Sequence, residues 1–517
     1  MWCKSCDMVV HEAKCSICGN ETEQDIPAEV YWCFACHTPV IRALNDSNKT
    51  LCPLCQGKTT YLCADLRPVF PEERLLFELL FSRQMKFADH SVWADVNRYY
   101  LNGEAKMMSR IMMDQVDAAI VRKDLGKYKD LNSYNNFDEY IQRFVKANQD
   151  RLNMLKSEAY SFIRKESTFY PHERVVISFS GGKDSTLVAD LVVRALGNPC
   201  IVHIFGDTTL EFPLTLDYVQ RYKENHPKAI IKKAINKDQD FYKVCEDIGP
   251  PSRVMRWCCT MFKTGPITRT LNALYGDKGI LTFYGVRKCE SVSRSKYNRV
   301  EQDSEQIKIR KQKVASPIFH WKDIDIWLYI LGEQIDFNDA YRLGYDRVGC
   351  LCCPNNSDRS QFLSRIYMPE QTKKWRDFLI RFARKIGKLD AEVYVDNGNW
   401  RARQGGYGVA AANDVKVAYS NCTTEDNAKI YRLNRPVDDG FYNLFLPFGI
   451  VSKELGRKLI HEVLVLDMKT NTPILSIQQS PSDNGYDYAV KIKTLNVKRH
   501  DDLHRISALS SMLWCKY

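Results

Sequence analysis

The chain has 517 residues, too many for one compact core, so two to four domains are expected. With 44% apolar and 26% charged residues and no run of about 18 apolar ones, its composition is that of a globular protein and excludes a membrane-spanning helix. The opening MWCKSCDMVV has no signal-peptide core, so a cytoplasmic, reducing setting is expected, where the 19 cysteines bind metal or do chemistry rather than pair as disulfides.

Residues 1–65 hold nine cysteines and little that could form a core. Cys3-x-x-Cys6 and Cys15-x-x-Cys18 are eight residues apart; Cys33-x-x-Cys36 and Cys52-x-x-Cys55 are fifteen apart. Each pair can place two thiolates on one tetrahedral ion, so tandem zinc ribbons holding two zinc ions are expected. Metal also explains how so short a segment folds. Pairing in sequence order and a cross-braced arrangement would use the same eight residues, and His37 is an alternative ligand. Cys63 is left over.

Residues 66–172 read as a mainly helical connector, with Asn-Gly in NRYYLNGEAKMM signalling a small hairpin. From 173 to 410 strand-like and helix-like runs alternate: VVISFS, LVADLVVRAL, CIVHIFGD, PLTLDYVQRYKEN, AIIKKAI, GILTFYGV and DIDIWLYIL. That order predicts a parallel, doubly wound α/β core. Ligands of such sheets bind beyond the carboxyl ends of the strands, where SGGKDS and GDTT fall. Residues 411–517 mix strand-like YNLFLPFGIV, HEVLVLDM and DYAVKIKTL with helix-like SKELGRKLI and DDLHRISALSSMLW, and read as a separate α+β unit.

The net charge of +11 is uneven. Residues 373–388 (KKWRDFLIRFARKIGK), RSKYNRV (294–300), KIRKQK (308–313) and NWRAR (399–403) together predict a polyanion surface; solvated helix faces and loops are the plainer alternative.

The glycine-rich turn Ser178–Thr186 sits between a strand and a helix start, where backbone amides and the helix dipole favour an anion. It lacks the spacing of a Walker A loop. Ser180-Gly181-Gly182-Lys183-Asp184-Ser185 instead resembles the PP-loop of ATP pyrophosphatases, which cleave ATP between its α and β phosphates. Gly181 and Gly182 would let the backbone approach the pyrophosphate, Ser180 and Ser185 would donate hydroxyls, Lys183 would offset charge, and Asp184 would hold Mg²⁺ through water.

GDTTLEFPLT (206–215), GVRKCESVSR (285–294) and SPIFHWKDIDIWLYI resemble, in order, motifs of the phosphoadenosine phosphosulfate (PAPS) reductase family, over roughly residues 170–405. The resemblance adds Asp207 and Gly285 to the nucleotide site and implies that Arg287 and Arg294 contact substrate oxyanions. Cys258, Cys259, Cys350 and Cys353 are similar to the set that ligates a [4Fe–4S] cluster in the iron–sulfur sulfonucleotide reductases, with a third zinc as the alternative. Cys352 would replace Cys353 as a ligand or handle sulfur beside the cluster, while Cys200 and Cys245 would pack as small apolar residues.

Two departures from the reductases stand out. They usually lack the Lys-Asp-Ser completion of the loop, and they carry a C-terminal Glu-Cys-Gly-Leu/Ile-His motif where this chain has MLWCKY. The chain looks instead like the thiolating members of the superfamily, tRNA thiolases and Dnd/Ssp-type DNA phosphorothioation enzymes. The resemblance implies an ATP pyrophosphatase and sulfurtransferase that adenylates a nucleic acid, DNA ahead of RNA. A sulfur donor such as a cysteine desulfurase and partners of a modification complex would go with it. A sulfonucleotide reductase, or a non-enzymatic zinc-ribbon adaptor with a nucleotide switch, are the alternatives.

Overall fold

The computed structural model describes the chain from Trp2 to Leu495 apart from residues 4–5, 7, 10–13, 21, 23–27, 44–49, 82–85, 96–97, 108–112, 114–115, 129–133, 135, 254–255, 277, 292–293, 303–310, 386–387, 389, 403–416, 426, 447, 469 and 483–484. Arg403, residues 308–310 of the second basic run, DDLHRISALSSMLW and the MLWCKY tail therefore lie outside the described residues. Among the described residues no helix is long and apolar enough to cross a membrane.

The central sheet runs in the spatial order Ile230–Ile235, Val202–Asp207, Val175–Phe179, Ile280–Phe283, Gln312–Ala315, Val300–Gln302. Its first five strands are parallel, and Val300–Gln302 closes the edge antiparallel. Alternate residues feed two faces. Val175, Ile177 and Phe179 pack with Leu187, Leu191 and Trp327 of helices Lys183–Leu196 and Asp323–Gly332. Val176, Ile204 and Ile280 pack on Ile267 and Leu271 of helix Gly265–Tyr275. Chain order reverses at Val175–Phe179, since the strand after it lies to one side and Ile280–Phe283 to the other. The crevice at that switch point is where the Ser178–Thr186 turn emerges.

The two ribbons differ in size. The first is a pairing of Trp2–Cys3 with Met8–Val9. The second is a three-stranded antiparallel sheet of Thr38–Ala43, Ala28–Cys33 and Thr59–Cys63.

Residues 66–172 hold more strand than a helical connector implies. Arg67–Pro68, Val92–Asp95, Arg98–Leu101 and Glu104–Met107 form a four-stranded antiparallel sheet beside helices Pro71–Leu80, Ala118–Tyr128, Phe137–Ala147 and Gln149–Ser167. Asn102 and Gly103 both have positive φ, as the Asn-Gly turn requires. A Cβ on Gly103 would lie 2.6 Å from the Trp32 ring, so the hairpin tip presses directly on the second ribbon. A buried polar network then ties the connector to the α/β core. Arg67 Nη1 is 2.6 Å from Glu73, the Tyr99 hydroxyl donates to Glu73 at 2.8 Å, Arg359 also pairs with Glu73, and Arg67 Nε reaches Asp346 at 2.7 Å.

The C-terminal region is a six-stranded antiparallel sheet of Val417–Asn421, Ala428–Leu433, Tyr488–Thr494, Pro473–Ser480, Val463–Leu466 and Ile450–Ser452. It is not a separate unit. Tyr431, Val465, Ile477 and Val490 share one apolar core with Phe241, Trp257, Trp375 and Phe378. SKELGRKLI forms no α-helix, only the strand end at Ser452 and a 3-10 turn, Lys458–Ile460. Gly456 passes so close to the Glu462 carbonyl that a Cβ would sit 1.9 Å from its oxygen, and the backbone folds back instead of spiralling.

Candidate functional site

The loop after Val175–Phe179 is closed by its own serines. Ser180 N donates to Ser185 Oγ at 3.1 Å, and Ser185 Oγ donates to the Gly182 carbonyl at 2.9 Å. Gly181 has φ +70° and lies so near helix Pro213–Asn225 that a Cβ would be 3.0 Å from Thr215 Cγ2. Gly182 caps helix Lys183–Leu196, and the Lys183 amide donates to the Tyr341 hydroxyl at 3.1 Å. Gly285, past the neighbouring strand, approaches the loop backbone. A Cβ there would be 2.8 Å from Asp184 C and 2.9 Å from Ser185 N, so any side chain would displace the loop.

The loop opens on a cavity of about 1010 Å³, lined among others by Ser180, Gly182, Lys183, Asp184, Ser185, Gly285, Arg287, Arg294 and Asp323. That is room for a nucleotide. Two cations and two carboxylates interlock on its floor. Lys183 Nζ lies 3.5 Å from Asp184 and 3.0 Å from Asp323; Arg287 Nε lies 2.8 Å from Asp184 Oδ1, and Arg287 Nη2 lies 3.0 Å from Asp323. Burial disfavours the charged lysine, but the carboxylates outweigh it and raise its pKa. Burial likewise disfavours the Asp323 carboxylate, and Lys183 and Arg287 outweigh that to lower its pKa. Lys183 and Asp323 are therefore held charged, and the burial of Arg287 is likewise outweighed by Asp184 and Asp323, which raise its pKa. The Arg287 Nε–Asp184 Oδ1 contact is an ion pair without hydrogen-bond alignment, leaving both buried atoms without a hydrogen-bond partner. A phosphate oxygen or a hydrated Mg²⁺ fits such a floor.

Arg294 also lines the cavity, paired with Glu290. Asp207 does not. Its carboxylate is taken by Lys233 Nζ at 2.5 Å and by the Thr209 amide at 2.7 Å, so it shapes the turn and Gly206 faces the cavity in its place. Asp65, Glu211, Lys263, Asp323 and Tyr341 also line the cavity, and the sequence assigns none of them a role. Asp323 lies in SPIFHWKDIDIWLYI, at the start of an apolar helix, but nothing local announces its partners.

The cysteines fall into two kinds. Cys3, Cys6, Cys15 and Cys18, and separately Cys33, Cys36, Cys52 and Cys55, each place four sulfurs within 4.8 Å of one another. Pairing is thus in sequence order, and the spacing suits one tetrahedral ion with Zn–S of about 2.3 Å. His37 belongs to neither group. Among the described residues no group that tight contains Cys258, Cys259, Cys350 or Cys353. These four still face one another electrostatically, since Cys259, Cys350 and Cys353 all help push the Cys258 thiol up. Four thiolates are the ligand count of a [4Fe–4S] cluster, in which each takes a different iron.

Two local devices assemble that set. Cys258 and Cys259 end a short helix, Trp257–Cys259, that runs into a π-helical turn, Thr260–Thr264. Cys350 sits on an antiparallel bridge to Glu211, with the Leu351 amide donating to the Leu210 carbonyl at 2.9 Å. The Cys258 thiol beside it, then Arg256, Lys263 and Arg347, bring Cys259 down to about 6 against its burial. Burial, then Glu211, pushes Cys350 up. Lys263, Glu211 and Arg347 line the cavity too, so the cysteines flank the same chamber as the loop. Cys352 is buried in the apolar core shared with the C-terminal sheet, where burial pushes its thiol up to about 12. Cys245 is buried as expected, whereas Cys200 is exposed, in the turn after helix Lys183–Leu196.

The basic runs are less available than their sequence suggests. In helix Pro369–Lys385, Lys373 pairs with Asp377 at 2.5 Å, Arg376 with Asp396 at 2.7 Å, and Arg384 with Glu392. Arg299 pairs with Glu158, and Arg401 is buried with Nη1 3.0 Å from Asp358.

Residues 174–356 match the phosphoadenosine phosphosulfate reductase domain family. An uncharacterized protein of Methanocaldococcus jannaschii is 32% identical over 280 residues, which are 54% of this chain and 56% of that protein. Adenosine 5'-phosphosulfate reductase 1 of Bacillus subtilis is 30% identical over 185 residues, 35% of this chain and 73% of that enzyme. A solved phosphoadenylyl-sulfate reductase of Candida auris, in complex with phosphate, superposes with a TM-score of 0.30 at 17% identity, covering 40% of this chain and 96% of that one. The chain spans only 56% of the length of the first of these relatives.

Proposed function

This chain belongs to the phosphoadenosine phosphosulfate reductase family, and from that premise we propose that it cleaves ATP to AMP and pyrophosphate, adenylating an acceptor so that sulfur can replace oxygen there. The observation that carries the reading is the complete Ser180–Ser185 loop at the switch point of the sheet, with Lys183 and Arg287 buried on the cavity floor. An already activated sulfonucleotide has no β,γ-pyrophosphate for such a loop to hold.

An acceptor oxygen attacks the α-phosphorus, the bond to the α,β-bridging oxygen breaks, and pyrophosphate leaves from the loop. Lys183, the loop amides and Arg287 neutralise the departing charge, while Asp184 and Asp323 would hold Mg²⁺. Cys258, Cys259, Cys350 and Cys353 would hold a [4Fe–4S] cluster, which would supply or relay sulfur to displace AMP. The acceptor we take to be nucleic acid, in the manner of DNA phosphorothioation, with a cysteine desulfurase as sulfur source. The ribbons and the net charge of +11 support this, although the paired basic helix supports it less than its sequence does. The likeness to the Bacillus reductase favours a second reading, reduction of adenosine phosphosulfate.

Purified protein with Mg²⁺ should convert ATP to AMP and pyrophosphate, and Asp184→Ala should abolish it. Release of ADP and phosphate would sink the loop assignment. Sulfite from adenosine phosphosulfate, with no ATP cleavage, would establish the second reading. Slow single-turnover hydrolysis with no thiolated dinucleotide by mass spectrometry would point to the adaptor.

A further inference from the structure

Helix Asp323–Gly332 begins with a defect. Its N-cap residue is Lys322, whose side chain cannot accept a hydrogen bond from the orphan amides of the first turn. The missing acceptor comes from far away in the chain. Asp65, two residues past the last strand of the second ribbon, accepts the Asp323 amide on Oδ2 at 3.0 Å and the Ile324 amide on Oδ1 at 3.0 Å. The bond is reciprocated, because Lys322 Nζ donates to the Ala64 carbonyl at 2.8 Å and to the carbonyl of Ala28, in the ribbon's central strand. The ribbon and the helix start are therefore clasped on both sides.

What the clasp holds is the first residue of the helix. Asp323 turns its carboxylate to Lys183 Nζ and Arg287 Nη2, 3.0 Å from each. A continuous polar path thus runs from ribbon strand Thr59–Cys63 through Asp65 to the Asp323 backbone, and from the Asp323 side chain to the two cations of the loop. Asp65 itself lines the cavity. The clasp thus ends on one of the two carboxylates that face Lys183, Asp184 being the other.

We propose that the second zinc ribbon is a built-in part of the nucleotide site, with Asp65 a positioning residue that acts through Asp323 on Lys183 and Arg287. The inference rests on the ATP-cleaving reading above. Loss of the Asp65 carboxylate frees the helix start, lets Asp323 drift, and slackens the cations that must meet the phosphates. Misplacement of that kind acts on the chemical step more than on ground-state binding.

The test is steady-state pyrophosphate release by the full-length, zinc-loaded protein carrying Asp65→Ala or Asp65→Glu. Hydrogen exchange at the amides of Asp323 and Ile324 is read in parallel without nucleotide. Asp65→Ala should lower kcat roughly ten- to a hundredfold with KM for ATP and zinc content little changed. Asp65→Glu should recover part of the rate, and exchange at the two amides should quicken in Asp65→Ala. Faster exchange with a wild-type kcat would make the clasp purely structural and overturn the proposal. An equal rise in KM with kcat intact would also overturn it. A wild type that releases no pyrophosphate from ATP would instead defeat the ATP-cleaving reading, whatever the exchange data show.

Discussion

The two ribbons share their cysteine pattern and rest on different foundations. In the first, the buried cluster among the described residues consists of Cys3 and Cys15 with Cys6 against them. In the second, Ala28, Val30, Trp32 and Ile41 reach into the main core, and Asn148 of the connector bonds its backbone, accepting from Ile41 N at 2.6 Å and donating to the Pro39 carbonyl at 3.0 Å. Among the described residues, identical ligand chemistry thus makes up the whole buried cluster in one case and reinforces a larger core in the other. Among the described residues, only the second ribbon is wired, through Asp65, to the loop cations.

Metal removal should break that comparison open most widely. Structural zinc in small modules is worth about 10–16 kcal/mol of apparent binding free energy, and among the described residues the buried cluster of the first ribbon holds cysteines only. Anaerobically prepared protein should hold about two zinc ions and about four irons. On chelation of the zinc, hydrogen exchange should lose all protection over 2–20 and only part of it over 28–63. Equal loss in both ribbons would show that the apolar anchoring of the second contributes little.

A smaller effect is expected from the anchor alone. Trp32 is fully buried and packs under the Gly103 turn of the connector. Trp32→Ala should destabilise the protein by about 3–5 kcal/mol, read by chemical denaturation, while zinc stays bound. A loss below about 1 kcal/mol would mean that the ribbon only leans on the core.

The same contrast explains what could be read from the sequence. The CxxC knuckles, the loop and the alternating strands and helices are local patterns, and all formed where the pattern placed them. What escaped is long-range. Asp65 meets Asp323 across 258 residues, and Arg151 meets Asp325 across 174. No spacing rule announces such pairs. The pairing within the basic run is long-range for a related reason, because the acids that meet Arg376 and Arg384 lie on a neighbouring helix, Ala391–Asp396, not in the run. NWRAR reads as a polyanion contact because a Trp interleaves with arginines, yet Arg401 is buried with Nη1 3.0 Å from Asp358. The C-terminal sheet looked independent because its apolar strands say nothing about which core they enter.

The smallest expected effect sharpens the contrast from the other side. Ile17, in the second knuckle of the first ribbon, is 69% exposed, so its side chain buries little apolar surface. The knuckle needs only the Ile17 backbone, whose amide donates to Cys15 Sγ at 3.4 Å. Ile17→Ser keeps that amide and should leave stability within about 0.5 kcal/mol and zinc affinity unchanged in a chelator competition. If the variant loses zinc more readily than wild type, apolar contact does support the first ribbon, and its fold cannot rest on thiolates alone. If nothing changes while Trp32→Ala unfolds the core, a shared cysteine motif carries two distinct architectures, separated by which side chains stand behind the metal.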